Sequence, residues 1–173
     1  GASGHSFGAR TVQALAGQRF ATDNNLALTE ARLKAFIAFS PSLGKSPLGG
    51  AQSFGAVARP MLCVTGSLDQ DPPGVERTGE HRLAVYEGLP AGRRALLWLD
   101  GADHMTFAGN VEQRIGARRG LFKRAADVAW QEDEDHAIVA RVTSAWWQAQ
   151  LLGDGAALRT APALRPNNRW RMD

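Results

Sequence analysis

The chain has 173 residues, which is enough for one domain with its own hydrophobic core. Apolar residues make up 44% and charged residues 21%, and this composition excludes collagen-like, disordered and disulfide-stapled classes. The net charge of +3 comes without a nucleic-acid-binding motif, so we expect no nucleic-acid partner.

The basic residues are scattered, except for one group that we interpret as a solvated surface, with a face for an anionic ligand as the alternative: Arg114, Arg118, Arg119, Lys123 and Arg124. No apolar stretch is long enough to predict a membrane span. The single cysteine, Cys63, cannot form an intrachain disulfide, which leaves the cellular compartment open. It lies in an apolar run, which favours a small core residue over a nucleophile.

The pattern of residues 1–41 predicts a turn, a helix and a strand. The glycine- and serine-rich start, GASGHSFG, is followed by an apolar helical face over Ala9–Ala16, and Gly17 is a stop signal. After a polar loop over residues 18–32, the run Leu33–Ser40 predicts a buried strand that Pro41 ends.

Two more buried strands and one helix are predicted after a loop over residues 41–58. Met61–Thr65 predicts the second strand and Ala95–Leu99 the third. Between them, apolar residues at helical spacing predict a helix over His81–Leu89.

The clearest helical pattern covers Glu134–Leu152, where apolar residues recur every three or four positions until Gly153. The acidic run Glu132–Asp135 is typical of a solvated helix start, where negative charge meets the positive end of the helix dipole. The segment 154–173 is polar apart from Trp170 and predicts a peripheral tail.

Buried strands that alternate with helices are typical of a parallel sheet covered by helices on both faces. The sequence therefore predicts an α/β fold. Three strands form a thin sheet with open edges, so we expect residues 1–153 to be part of a larger domain whose N-terminal strands are absent.

Gly4-His5-Ser6-Phe7-Gly8 matches G-x-S-x-G, the nucleophile elbow, in which a serine sits on a sharp turn between a strand and a helix. The helix directs its N-terminal amides toward developing negative charge. We expect the preceding strand to lie upstream of Gly1. Alone, the motif is a weak signal, because a loop serine between glycines has the same pattern.

A carboxylate and a histidine follow the second and third predicted strands. Asp69 comes directly after Gly66-Ser67-Leu68, and His104 follows Gly101-Ala102-Asp103. Parallel strands place these ends at one sheet edge, together with Ser6. Asp71, next to Pro72, is the alternative candidate for this carboxylate. The chain order of serine, aspartate and histidine is that of the α/β-hydrolases.

The segments GHSFG, TGSLDQDP and LDGADHMTFAG resemble the second half of serine esterases of the α/β-hydrolase superfamily, close to dienelactone hydrolase-related and cutinase-like polyester-cleaving enzymes. The resemblance covers residues 1–152. It implies the C-terminal part of an α/β-hydrolase fold, with the elbow, the last three parallel strands and their helices.

The resemblance also implies roles for single residues. Ser6 attacks an ester carbonyl, His104 accepts its proton, and Asp69 orients the imidazole. The backbone amide of Phe7 gives one oxyanion donor, while the family takes its second donor from a loop after an early strand. Met105 and Phe107 are candidates for an acyl pocket, with loop packing as the alternative.

Other polar residues receive structural interpretations. His5 is expected to pack behind the elbow, and Asp100 and Asp103 to shape the loop of His104. His81 and His136 lie in predicted helices without a second ligand at metal spacing, so we predict no metal site. Triad chemistry needs no cofactor, and none is predicted.

The first functional hypothesis is hydrolysis of small or polymeric carboxylic esters through an acyl-serine intermediate. A lipase, peptidase or thioesterase on the same fold is a second hypothesis. The third is a truncated, inactive relative that acts as an interaction module. For the isolated chain we expect low stability, with self-association or a need for a complementing N-terminal half.

Overall fold

The computed structural model describes residues 1–21, 28–44, 47–70, 79–108, 126–159 and 164–173. Its five strands form one sheet in the order of the chain, β1-β2-β3-β4-β5. The strands are β1 (Ala2–His5), β2 (Phe36–Phe39), β3 (Met61–Leu68), β4 (Arg94–Asp103) and β5 (Arg169–Met172). The first four strands pair in parallel, and β5 is antiparallel to β4.

Helices lie between and after the strands. They are α1 (Phe7–Ala16), α2 (Gly50–Phe54), α3 (Leu83–Gly88), α4 (Ala126–Leu152) and α5 (Ala156–Arg159), with short 3-10 helices at Gly79–Arg82 and Thr106–Ala108. Helix α1 ends at Gly17, which has a φ of 108° and lets the backbone turn in the left-handed region that glycine tolerates.

Each face of the sheet packs against its own hydrophobic cluster, because successive side chains of a strand point to opposite faces. Phe36 and Ala38 of β2 lie in one cluster, while Ile37 lies in the other. The first cluster also receives α1, α2 and α3, for example through Val12, Phe54 and Val85. The second cluster receives α4 and α5, through Ile138, Val142, Trp146 and Leu158. The predicted α/β class is confirmed.

The three strands expected from apolar runs are present, and the sheet has two further strands that the apolar runs did not predict. The strand before Ser6 is Ala2–His5, so the expectation that it lies upstream of Gly1 is wrong. Its residues, Ala-Ser-Gly-His, are each small or polar, so they form no apolar run that would predict a strand. Strands β3 and β4 also extend beyond their apolar runs, as far as Leu68 and Asp103.

The C-terminal segment adds a fifth strand, which makes the sheet mixed rather than purely parallel. Trp170 pairs with Leu97, and Arg169 pairs with Trp98, whose ring centroid lies 4.6 Å from the guanidinium carbon. Arg94 of β4 forms an ion pair with Asp173 at 2.5 Å. Residues 169–173 therefore lie along the edge of the sheet.

Helix α4 begins before the acidic run, at Ala126, so the run is not a helix start. Asp135 is 1% exposed and pairs with Arg165 from the C-terminal segment. The prediction of a solvated acidic run is therefore wrong for this residue. The basic group between Arg114 and Arg124 lies outside the described residues.

The exposed large apolar side chains of the described residues are spread over α1, β3, α4, β5 and the loop before β2 and do not share one sheet face: Phe7, Leu28, Leu68, Leu151, Leu152 and Met172. In the part of the chain that the structure covers, no helix has the length and apolarity that crossing a bilayer requires.

Candidate active site

Ser6 occupies the turn between β1 and α1, as the nucleophile-elbow motif predicts. Its φ of 58° and ψ of −116° are unusual for a residue with a side chain. Such a conformation costs on the order of 1–3 kcal/mol, and surrounding contacts must hold it. The Ser6 amide donates to the carbonyl of Phe39 at 3.1 Å, and its carbonyl accepts from the amide of Arg10 at 3.3 Å. The neighbouring strand and the first helical turn thus fix the strained serine.

The two glycines of the motif differ in what they allow. A Cβ on Gly4 would lie 2.5 Å from the carbonyl carbon and oxygen of Gly8, closer than real Cβ atoms approach backbone. A Cβ on Gly8 would meet no described atom within 4 Å. Only Gly4 is therefore required by the close approach of the helix to the strand.

His104 joins Ser6 to Asp69, although these residues are far apart in the sequence. Its Nε2 lies 2.9 Å from Oγ of Ser6, and its Nδ1 lies 2.8 Å from Oδ1 of Asp69. Each residue follows the carboxyl end of a parallel strand: β1 before Ser6, β3 before Asp69 and β4 before His104. The topology therefore brings all three to one edge of the sheet, as the sequence predicts.

The geometry selects one tautomer of His104. The carboxylate of Asp69 only accepts hydrogen bonds, so Nδ1 must carry the proton that reaches it. In the neutral ring Nε2 is then the acceptor, and it faces the hydroxyl of Ser6. The arrangement leaves the imidazole ready to receive a proton from Ser6.

The Asp69 carboxylate is fully buried and well supplied with donors. Its Oδ2 accepts from the hydroxyl of Thr65 at 2.8 Å, while its Oδ1 faces His104. Burying a carboxylate is costly unless hydrogen bonds and an opposite charge compensate it. The rival acid Asp71 lies outside the described residues, whereas Asp69 makes the contact.

The opposite charge comes from Arg82, a residue that sequence reasoning missed. Its guanidinium is 1% exposed, and Nε lies 2.9 Å from Oδ1 of Asp69. A single arginine within a helical pattern is usually solvated, so composition and spacing gave no signal for it. The structure adds this residue to the predicted set.

His5 contacts His104 directly, beside the serine. Its Nε2 donates to the backbone carbonyl of His104 at 2.9 Å, and the two ring centroids are 4.7 Å apart. Burial, and then the charge that His104 carries when protonated, lower the pKa of the His5 imidazole. His5 therefore favours its neutral form and supports the loop that holds His104.

The loop around His104 is organised by the neighbouring carboxylate of Asp103, as predicted. Oδ1 of Asp103 accepts from the amides of Met105 and Thr106 at 2.8 and 3.0 Å. Oδ1 of Asp100 accepts from the hydroxyl of Ser67 at 2.9 Å. Neither interaction involves the imidazole of His104. Asp103 shapes the backbone of the His104 loop, whereas Asp100 links β4 to Ser67 of β3.

The residues predicted to contact substrate lie on the elements around the triad. The amide of Phe7 is at the first position of α1, where N–H groups have no partner within the helix. The Phe7 side chain is 78% exposed. Met105 follows His104 and is partly buried, and the Phe107 ring lies 6.4 Å from that of Phe39.

The remaining candidates stay outside this cluster. Cys63 is fully buried in β3, and burial raises the pKa of its thiol to about 12, which removes it as a nucleophile. Nε2 of His136 donates to the carbonyl of Thr106 at 2.8 Å, which is a packing role. The described residues contain no group of three or more metal-binding side chains, and His81 belongs to none.

A cavity of about 430 Å³ lies away from the triad, near the C-terminal end of α1, with Leu15, Phe20 and Phe36 among its lining residues.

No known protein-family model matches the chain, and no curated protein is significantly similar to it.

Proposed function

We propose that this chain carries the catalytic centre of a serine hydrolase of the α/β-hydrolase type, and that its substrates are carboxylic esters. The observation that supports the proposal is the continuous contact from Oγ of Ser6 through His104 to Asp69, with Ser6 held in a strained turn. Nucleophile, base and orienting acid in this geometry define the triad of acyl-transfer enzymes.

The order of the strands supports the finer fold assignment. In an α/β-hydrolase the elbow serine precedes the acid, and the histidine comes last, each after a parallel strand. Ser6, Asp69 and His104 follow β1, β3 and β4 in that order.

In the first step, Ser6 Oγ attacks the ester carbonyl while Nε2 of His104 takes its proton. The tetrahedral intermediate places its oxyanion near the amide of Phe7 at the start of α1. The imidazolium, paired with Asp69, then gives the proton to the departing alcohol, which leaves an acyl-serine. In the second step, water attacks the acyl group, His104 removes the water's proton and returns it to Ser6, and the carboxylic acid is released.

The substrate side of the proposal depends on the apolar residues beside the triad. Met105 and Phe107 follow His104 directly, and Phe107 packs against Phe39 at the end of β2. They are suited to an apolar acyl group, whereas a charged acyl group would meet no compensating charge from them. Short, uncharged acyl esters are therefore the first substrates to test.

The test is mass spectrometry of the purified chain after reaction with a fluorophosphonate, with Ser6→Ala as the matched control. A single adduct on Ser6 that is absent from the control, together with hydrolysis of p-nitrophenyl esters, is the expected result. If a chain with a folded circular dichroism spectrum gives no adduct, the site is not assembled, and the alternative of an inactive interaction module takes its place.

A further inference from the structure

We propose that Arg82 is a positioning residue of the triad, which fixes Asp69 and limits the basicity of His104. This inference rests on the proposed function, since it assigns a role within the same site.

Arg82 connects the acid to a second strand end. Its Nε donates to the backbone carbonyl of Asp69 at 2.8 Å and lies 2.9 Å from the carboxylate. Its Nη1 lies 3.0 Å from the carbonyl of Ser40 and 3.2 Å from that of Pro41, just after β2. One buried guanidinium thus ties the loop after β3 to the loop after β2, with Asp69 held between them. A planar group with several donors is suited to this bridge, whereas an ammonium is a single point charge.

The same guanidinium lies against the base. Its Nη2 is 3.3 Å from Nδ1 of His104. Because Nδ1 carries the proton that it donates to Asp69, this approach is not a hydrogen bond but a contact between a cation and a donor. A fixed positive charge at this distance opposes a second positive charge on the imidazole.

The charged and titratable groups around His104 are Asp69, Arg82, His5 and Asp103, and they act on its imidazole in different ways. Asp69, after β3, favours the imidazolium, while Arg82, before α3, opposes it. His5, on β1, contacts the ring and favours its own neutral form. Asp103, next to His104, directs Oδ1 to the backbone of its own loop. Without Arg82, Asp69 would be balanced only by a proton on His104. The buried carboxylate would then favour the imidazolium, in which Nε2 carries a proton and cannot accept the one from Ser6.

Two substitutions separate the charge from the bridge. Arg82→Gln removes the charge but keeps a donor, and Arg82→Lys keeps the charge but loses the planar group. Arg93→Gln is the matched control, since Arg93 is an exposed residue of the turn before β4. The folding of each variant is checked by circular dichroism and urea unfolding.

The readouts are the pH profile of kcat/KM on p-nitrophenyl acetate and the NMR titration of His104 in a Ser6→Ala background. For Arg82→Gln we expect both the acidic limb and the NMR titration of His104 to move to higher pH, because the opposing positive charge beside Nδ1 is lost. For Arg82→Lys we expect the acidic limb to stay in place, while kcat falls up to about 10²-fold at nearly unchanged KM because Asp69 is misplaced.

A folded Arg82→Gln variant with the wild-type acidic limb and the wild-type titration would overturn the proposal. If Arg82→Gln does not fold, Arg82→Lys decides, and a wild-type kcat in that variant would overturn it. The NMR titration of His104 does not depend on catalytic turnover. A chain that the fluorophosphonate does not label at Ser6 therefore contradicts the proposed hydrolase, while the His104 shift still reports on Arg82.

Discussion

Thr65 and Asp69 are linked by a hydrogen bond of 2.8 Å, in which the threonine hydroxyl donates to Oδ2 of the carboxylate. Both side chains are fully buried. Thr65 belongs to β3, so the strand itself orients the carboxylate that follows it. The bond leaves Oδ1 of Asp69 for His104 and Arg82.

Thr65→Val removes this donor while it keeps the shape of the side chain. A hydrogen bond to a charged group contributes about 1.5–3 kcal/mol, so we expect a loss of this order in the free energy of unfolding. We also expect kcat/KM on p-nitrophenyl acetate to fall about tenfold. A rise of about 1.5 kcal/mol in the activation free energy, caused by a less well oriented Asp69, corresponds to about that factor. Urea unfolding and steady-state kinetics measure the two effects. Thr65→Ser retains a hydroxyl and should recover most of both, and equal values for the valine and serine variants would contradict the role of the bond.

Gly4→Ala tests the close approach of α1 to β1. The new Cβ would lie 2.5 Å from backbone atoms of Gly8, so the helix start must move away from the strand. Because Ser6 lies between them, we expect weak fluorophosphonate labelling and a lower melting temperature. Mass spectrometry and thermal unfolding give the readouts.

Gly8→Ala is the matched control for that substitution. Its Cβ meets no described atom within 4 Å, and alanine in a helix is favoured over glycine by about 0.5–1 kcal/mol. We therefore expect an equal or higher stability and normal labelling. The opposite order of the two variants would show that the elbow is not built as described.

His5 should make stability depend on pH. Burial and the proximity of His104 lower the pKa of its imidazole below the ordinary 6.5. The unfolded chain then binds the proton more tightly, so protonation favours unfolding. The stability that neutral His5 contributes is full above 6.5 and is lost as the pH falls through the lowered folded-state pKa.

The measurement is the free energy of unfolding in urea at several pH values for the wild type and His5→Gln. We expect the wild type to lose stability relative to the variant as the solution becomes acidic. His136→Gln serves as control, because Nε2 of His136 also donates to a backbone carbonyl but lies outside the contact with His104. Parallel curves for the wild type and His5→Gln would remove His5 as the cause.

The sequence predicted the elements that carry an apolar signal. The runs around Ile37, Met61 and Leu97 became β2, β3 and β4, because a strand buried on both faces must be apolar throughout. The contacts of Ser6, Asp69 and His104 were also predictable, since a motif and parallel strand ends place them at one edge.

The parts that were not predicted depend on partners that are distant in the chain. Strand β1 consists of the small or polar residues Ala2–His5, without an apolar run, and β5 forms because Trp170 and its neighbours pair with β4. Arg82 is buried because Asp69 and two carbonyls of the loop after β2 satisfy it. No local pattern encodes such a pairing.

Arg165 and Asp135 allow a last prediction about how the C-terminal segment is held. Nη2 of Arg165 donates to the buried carboxylate of Asp135 and, at 3.2 Å, to the carbonyl of Asp100 in β4. Removing one partner of a buried ion pair leaves an uncompensated charge. We expect Arg165→Met to lower the free energy of unfolding by about 2–4 kcal/mol at neutral pH, somewhat less than for a fully buried pair.

The pH dependence and a double variant separate this effect from lost packing. Burial raises the pKa of the Asp135 carboxyl, while Arg165 opposes that rise. In Arg165→Met nothing from Arg165 opposes the effect of burial, so the folded-state pKa of Asp135 is raised further. The fold then buries the protonated carboxyl at little cost, and the free energy of unfolding falls as the pH increases through the raised pKa. The penalty should therefore shrink in acid. Arg165→Met combined with Asp135→Leu should recover most of the stability at neutral pH, because an apolar pair replaces the ion pair. A double variant as unstable as the sum of its single variants would show that the two residues act independently.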